Sequence, residues 1–221
     1  MGQYYKTVNL DKRQYIEPWE CDCGAKLMEH SYIGNDGFGN GFSGTLISLL
    51  NNEWKGDRIV LAGDYADREY MEEEFPELFE ELAKAEPWLL DKREYNGEYY
   101  DVALYECVEH GFENVGSIEQ TEPCPRYALF YNDNDNKYYV DLYDERQSAW
   151  EWTDDNGKNH KTLVFSPHLL VALGNGLGGG DYHGDSEYLV GSLAGYHIEL
   201  ADDIPNGYIE LFETDIPFNE R

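Results

Sequence analysis

The chain has 221 residues, and 45 Asp and Glu against 16 Lys and Arg leave it a formal net charge of −29. Its cations are too few and too scattered to neutralise a nucleic-acid backbone or to coat a membrane-surface helix, so direct nucleic-acid binding and basic membrane association are excluded. Disorder is excluded too, because nineteen Tyr, nine Phe and five Trp provide the large apolar bodies that acidic disordered chains lack.

No run of about 18 apolar residues occurs, and residues 1–10 hold no apolar stretch flanked by basic residues, which predicts a cytoplasmic protein. Cys21, Cys23, Cys107 and Cys124 then read as reduced thiols.

In chain order, the alternation at residues 3–10 predicts a strand, returned by residues 13–16 after an Asp11-Lys12 turn. A loop with Pro18 and Cys21-Asp22-Cys23-Gly24 follows. Residues 34–41 are too glycine-rich for an element interior and lead to a short helix at 45–50. Residues 57–62 read as a buried strand closed by Gly63. Met71, Phe75, Leu78, Phe79 and Leu82 share one helical face, while Pro76, which fits a first turn and not a helix middle, predicts a break or kink near Phe75. Glu72, Glu73, Glu77, Glu80 and Glu81 form the outward stripe.

The second half reads as mainly β. Residues 98–107, 127–131 and 137–143 are rich in Tyr, Val and Leu, and the last two flank the turn-forming residues 132–136. Residues 148–153 and 161–165 flank Asp154-Asp155-Asn156-Gly157, and Asn-Gly is a strong hairpin signal. A helical turn at 167–173, a glycine-dense segment at 174–184 and closing strands at 196–200 and 208–212 complete the chain. With no internal repeat and no Pro/Ser-type linker, one α+β domain over residues 1–221 is predicted, a largely antiparallel sheet with a few helices.

The opening Met1-Gly2-Gln3-Tyr4-Tyr5-Lys6, the segment at residues 24–35, Gly63-Asp64-Tyr65-Ala66-Asp67 and Gly178-Gly179-Gly180-Asp181-Tyr182 together resemble a family of bacterial and phage proteins that begin with the same residues. The resemblance implies a phage or mobile-element setting and carries no catalytic residue to transfer.

Several constellations could carry chemistry. Gly174-Asn175-Gly176-Leu177-Gly178-Gly179 satisfies G-x-G-x-x-G, but no βαβ alternation precedes it and a poor helix opening follows. Gly176, Gly178, Gly179, Gly180, Asp181 and His183 remain as a ligand loop for a phosphate-bearing molecule. Cys21, Cys23, Cys107 and His110 offer zinc-type ligands, although Cys-x-Cys is shorter than the usual pair spacing. Asp133-x-Asp135 hints at calcium, but Lys137 stands where that loop requires Asp or Asn, and a turn explains the same residues. No G-x-x-x-x-G-K-[ST] or G-x-S-x-G motif occurs. His197 reads as a structural residue of its strand.

Two functions follow from different features. The charge, the aromatic-rich body and the phage resemblance favour a non-enzymatic binding protein, an anti-defence inhibitor that mimics nucleic acid. Its partner would be a basic host protein, a nuclease or defence effector, bound through the Glu72–Glu81 stripe. The alternative is a small enzyme or ligand-sequestering protein that takes a nucleotide or phosphorylated small molecule at residues 174–184.

Overall fold

The structure is a computed structural model, and it describes residues 3–30, 32–34, 36–144, 149–153, 157, 159–174 and 189–211. Its first half runs β1 (Tyr5–Asn9), β2 (Gln14–Ile16), α1 (Leu27–His30), β3 (Tyr32–Gly34), α2 (Gly41–Asn51), β4 (Ile59–Gly63), α3 (Arg68–Glu74) and α4 (Pro76–Ala85). There follow β5 (Lys92–Tyr95), β6 (Glu98–Asp101), α5 (Leu104–Gly111), β7 (Glu113–Asn114), β8 (Tyr127–Tyr131) and β9 (Lys137–Asp141). The last elements are β10 (Ala149–Thr153), β11 (Asn159–Val164), α6 (Ser166–Leu170), β12 (Ala172–Leu173), β13 (His197–Ala201) and β14 (Ile209–Glu210). The architecture is α+β with mainly antiparallel sheets, as composition and patterning predict.

The central sheet has the order β12-β4-β1-β2-β7. Strand β1 is antiparallel to both neighbours and buried along its whole length. Alternation along β4 sends Ile59 and Leu61 into one apolar cluster with α2 and the β13-β8-β9-β14 sheet, and Val60 and Ala62 into a second with α3, α4 and α5. The Ile-Val-Leu-Ala run of β4 is the continuous apolar pattern that double-sided burial requires. Strand β1 has no such pattern, so its polar side chains need partners. Asn9 donates to Asp57 at 2.8 Å and accepts from the backbone of Asp11 and Lys12 at 3.0 and 2.8 Å, which shapes the turn into β2.

The break predicted at Pro76 is present. Phe75, with φ −136° and ψ 53°, ends α3 and precedes the proline that opens α4. The β1–β2, β8–β9 and β10–β11 pairings match the predicted strands, although residues 154–156 of the last turn lie outside the described residues.

Three expectations need correction, the first being the helical turn predicted over 167–173, whose residues Ala172 and Leu173 instead form β12 beside β4. The strand predicted over 98–107 stops at Asp101, and residues from Leu104 form α5, because Leu104, Cys107 and Val108 at helical spacing bury one side in the second core. Helix α2 begins at Gly41 rather than near Thr45, capped by the Asn40 side chain, which accepts from Ser43 N at 2.9 Å. Glycine there answers a packing demand, since a Cβ on Gly41 would lie 2.1 Å from the Cys21 carbonyl oxygen. Among the described residues, no helix is long and apolar enough to cross a membrane.

Gly41→Ala should therefore destabilise the protein by about 1–3 kcal/mol, the range for forcing atoms into a filled core. Urea unfolding measures this, and an unchanged midpoint would mean that α2 moves freely away from Cys21.

Candidate interaction surface

The surface is rooted in a buried charge. Lys6 on β1 is 1 % exposed, and its ammonium donates to Glu109 of α5 and lies 3.3 Å from Glu17 Oε2. It also sits over the Tyr105 ring at 4.1 Å and the Tyr15 ring at 5.6 Å. Burial, followed by the negative field of Glu17 and Glu109, pushes the Tyr105 phenol well above its ordinary value, so it remains a neutral wall beside the ammonium.

Helix α5 in turn anchors the β5–β6 hairpin, whose Arg93 pairs with Glu106. The two strands pair with each other in the register Lys92↔Asp101, Arg93↔Tyr100, Glu94↔Tyr99 and Tyr95↔Glu98. The turn between them uses Asn96 and Gly97 at φ 54° and 84°, both left-handed, as a tight two-residue hairpin turn demands. On one side of the hairpin, Lys92 and Asp101 share a groove of about 470 Å³ with Arg68, Glu69, Glu72 and Glu73 of α3. On the other, a groove of about 570 Å³ runs along α5, where Trp88 stacks on His110 at 5.2 Å.

All five glutamates of the predicted stripe are exposed. The break at Phe75 divides them between α3 and α4, and three are locally neutralised. Glu72 pairs with Arg68 at 2.8 Å, Glu80 with Lys84 at 2.6 Å and Glu81 with Arg58 at 2.8 Å. Glu73 and Glu77 form no ion pair among the described residues. Every Lys and Arg with a described side chain except Lys26 forms an ion pair within the chain. Among the described residues, the excess carboxylates therefore have no cation left to pair with except Lys26. Glu53, Glu119, Glu122 and Asp203 are exposed on other elements, so charge alone does not mark the surface. Its distinguishing feature is the aromatic hairpin beside α3.

The zinc quartet is not assembled. Cys21 packs in the first core against Thr45, Cys107 is buried in the second, and the ring of His110 is engaged by Trp88. Among the described residues, no group of three or more His, Cys, Asp or Glu is placed to hold a metal. Cys23 donates to the Glu29 carbonyl oxygen. Burial pushes the thiols of Cys23 and Cys107 up to about 11 and that of Cys124 up to about 12, which disfavours the thiolate that a metal or an electrophile needs. Asp135 pairs with Lys137 in the β8–β9 turn, so the calcium hint resolves into turn geometry. His197 lies 2.8 Å from the Gly56 carbonyl oxygen and stacks on Tyr131, a structural role as predicted. Gly176, Gly178, Gly179, Gly180, Asp181 and His183 lie outside the described residues.

Sequence patterning does not single out Lys6 or the hairpin tyrosines. The available signal is Asn96-Gly97 between Tyr-rich flanks, the same dipeptide signal that marks Asn156-Gly157. Comparison with protein-family models, curated proteins and solved structures finds no match.

Helix α4 is tied to the sheet through Arg58, which contacts both Asp11 and Glu81. Burial pushes the Asp11 carboxyl up, but hydrogen bonds and charge attraction from Arg58 outweigh it, and the net direction is below the ordinary carboxylate range. A lowered folded-state value gives stability that is present above the unfolded value and lost as pH falls through the folded one. Asp11→Asn should therefore destabilise the protein at pH 7 and converge with wild type as pH falls from neutral through the lowered folded-state value of Asp11, beneath the ordinary carboxylate range. Urea unfolding of both proteins across that range measures the difference, and a gap independent of pH would remove the Asp11 charge from the account.

Proposed function

We propose that the protein is a cytoplasmic, non-enzymatic binding protein that docks its acidic α3–α4 side onto a basic protein. The observation that carries this reading is the internal pairing of the described cations, which leaves Glu73 and Glu77 exposed and uncompensated on helices packed against the core. Carboxylates on a folded frame keep fixed positions, whereas a disordered acidic tail presents a blurred field. A charge of this size steers association with a basic groove, where it competes with the phosphates that the groove normally holds. The partner class that fits is a nucleic-acid-handling host protein, a nuclease or defence effector, and the protein acts as its inhibitor. The phage-type resemblance of the opening residues agrees with that setting.

The test compares wild type with the E73K/E77K/E80K variant as bait in host extract, at about 0.15 M and about 0.5 M salt. The expected result is capture of a basic protein at the lower salt only. Its nucleic-acid binding should be displaced by wild type, and the variant should associate about tenfold or more slowly with an unchanged urea midpoint. Capture that is indifferent to both salt and the triple reversal would make α3–α4 a merely solvated face.

A further inference from the structure

We infer that the β5–β6 hairpin is a docking finger for an arginine-rich protein segment, its exposed tyrosines stacking on guanidinium groups; this rests on the acidic-docking reading and specifies its partner.

The hairpin contributes surface that the fold does not use. Among the described residues its strands pair only with each other, and Tyr95, Tyr99 and Tyr100 are 61 %, 66 % and 50 % exposed. A two-stranded ribbon is marginal by itself. This one is held at its root by Arg93–Glu106 and by Val102 N donating to Asp91 O, and at its tip by the left-handed Asn96-Gly97 turn. Trp88 and Leu90, in the turn just before β5, extend the exposed apolar surface to its base. The finger is thus shaped before any partner arrives, which lowers the ordering cost of binding.

Charge selects the occupant. Directly opposed residues of an antiparallel pair lie on one face, so Glu94↔Tyr99 places a carboxylate beside a ring on one face and Tyr95↔Glu98 does the same on the other. The Tyr100 hydroxyl donates to Glu98 Oε2 at 2.6 Å and holds that carboxylate in place. A second copy of the chain would bring like charges together. An uncharged partner would desolvate Glu94 and Glu98 without pairing them, which is costly. A cation satisfies both groups of each pair. Between the two protein cations, guanidinium fits better, because its flat face stacks on a ring while its edge donates to a carboxylate, and an ammonium has no such face.

The experiment uses the full chain with nona-arginine and nona-lysine as probes, following affinity and the amide shifts of residues 92–101. Wild type should prefer nona-arginine by about fivefold or more, with shifts at the hairpin. The Y95L/Y99L/Y100L variant, which keeps an apolar ribbon, should lose the preference yet still bind both peptides. E94Q/E98Q, which keeps every ring, should reduce it as well, and the hairpin amide pattern of each free variant checks that the ribbon is intact. E73K/E77K/E80K should weaken both peptides alike and leave the preference unchanged. A preference that survives the tyrosine substitutions, or shifts that fall elsewhere, overturns the docking finger; if the glutamate reversal still weakens both peptides, the acidic-docking reading stands. Equal binding of both peptides by wild type and by the glutamate reversal overturns both.

Discussion

The buried ammonium of Lys6 is the constraint on which the acidic side of the molecule depends. A lysine removed from water costs several kcal/mol unless its charge is met, so β1 cannot occupy the middle of the sheet without Glu17 and Glu109. Glu109 belongs to α5, and the pairing fixes which side of that helix turns to the sheet. One turn earlier, Glu106 then meets Arg93 and sets the root of the hairpin. A single charge in the centre thereby orients an element that reaches solvent.

Charge elsewhere divides into structural and surplus parts. Arg58 joins β4 to α4 and to the turn after β1, and Arg13 reaches the buried Glu86 next to the Trp88 turn. These cations act at joints between elements, and because Arg13 and Glu81 stay about half exposed each pair ties its elements together with the modest strength of a partly screened ion pair. Among the described side chains, the charge that remains unpaired is negative apart from Lys26. The field is an outcome of where the few cations are used as much as of how many carboxylates there are.

Much of this was legible in the residues. The β1–β2 return, the β8–β9 and β10–β11 pairs and the break at Pro76 each follow from local rules: alternation, turn chemistry and a ring that cannot sit in mid-helix. Residues 98–107 mislead because Tyr and Val suit a strand, while the spacing of Leu104, Cys107 and Val108 fits a helix, and packing decides between them. The glycines before α2 look like breakers because nothing local reveals the Cys21 carbonyl above Gly41. Of the candidate site, the acidic stripe was legible as exposed, but its neutralisation was not, since Arg58 is distant in sequence from Glu81. Nothing local marks Lys6 on its strand as buried, because the Glu109 and Tyr105 that enclose it arrive from α5, about a hundred positions away. The cysteines failed for the converse reason, as matching ligand types settled on opposite sides of one sheet.

The hairpin also has two open edges. Among the described residues, strand β5 and strand β6 each hydrogen-bond on one side only, which leaves backbone groups that another ribbon could extend. Among the described residues no further strand pairs with them, and the net charge of −29 opposes edge-to-edge addition of a second molecule. That protection is colloidal and vanishes with the charge. As pH falls toward the isoelectric point of about 4.3, the repulsion between the tyrosine-faced ribbons falls away. Near that pH the unpaired ribbon edges are the expected place for one molecule to add to another.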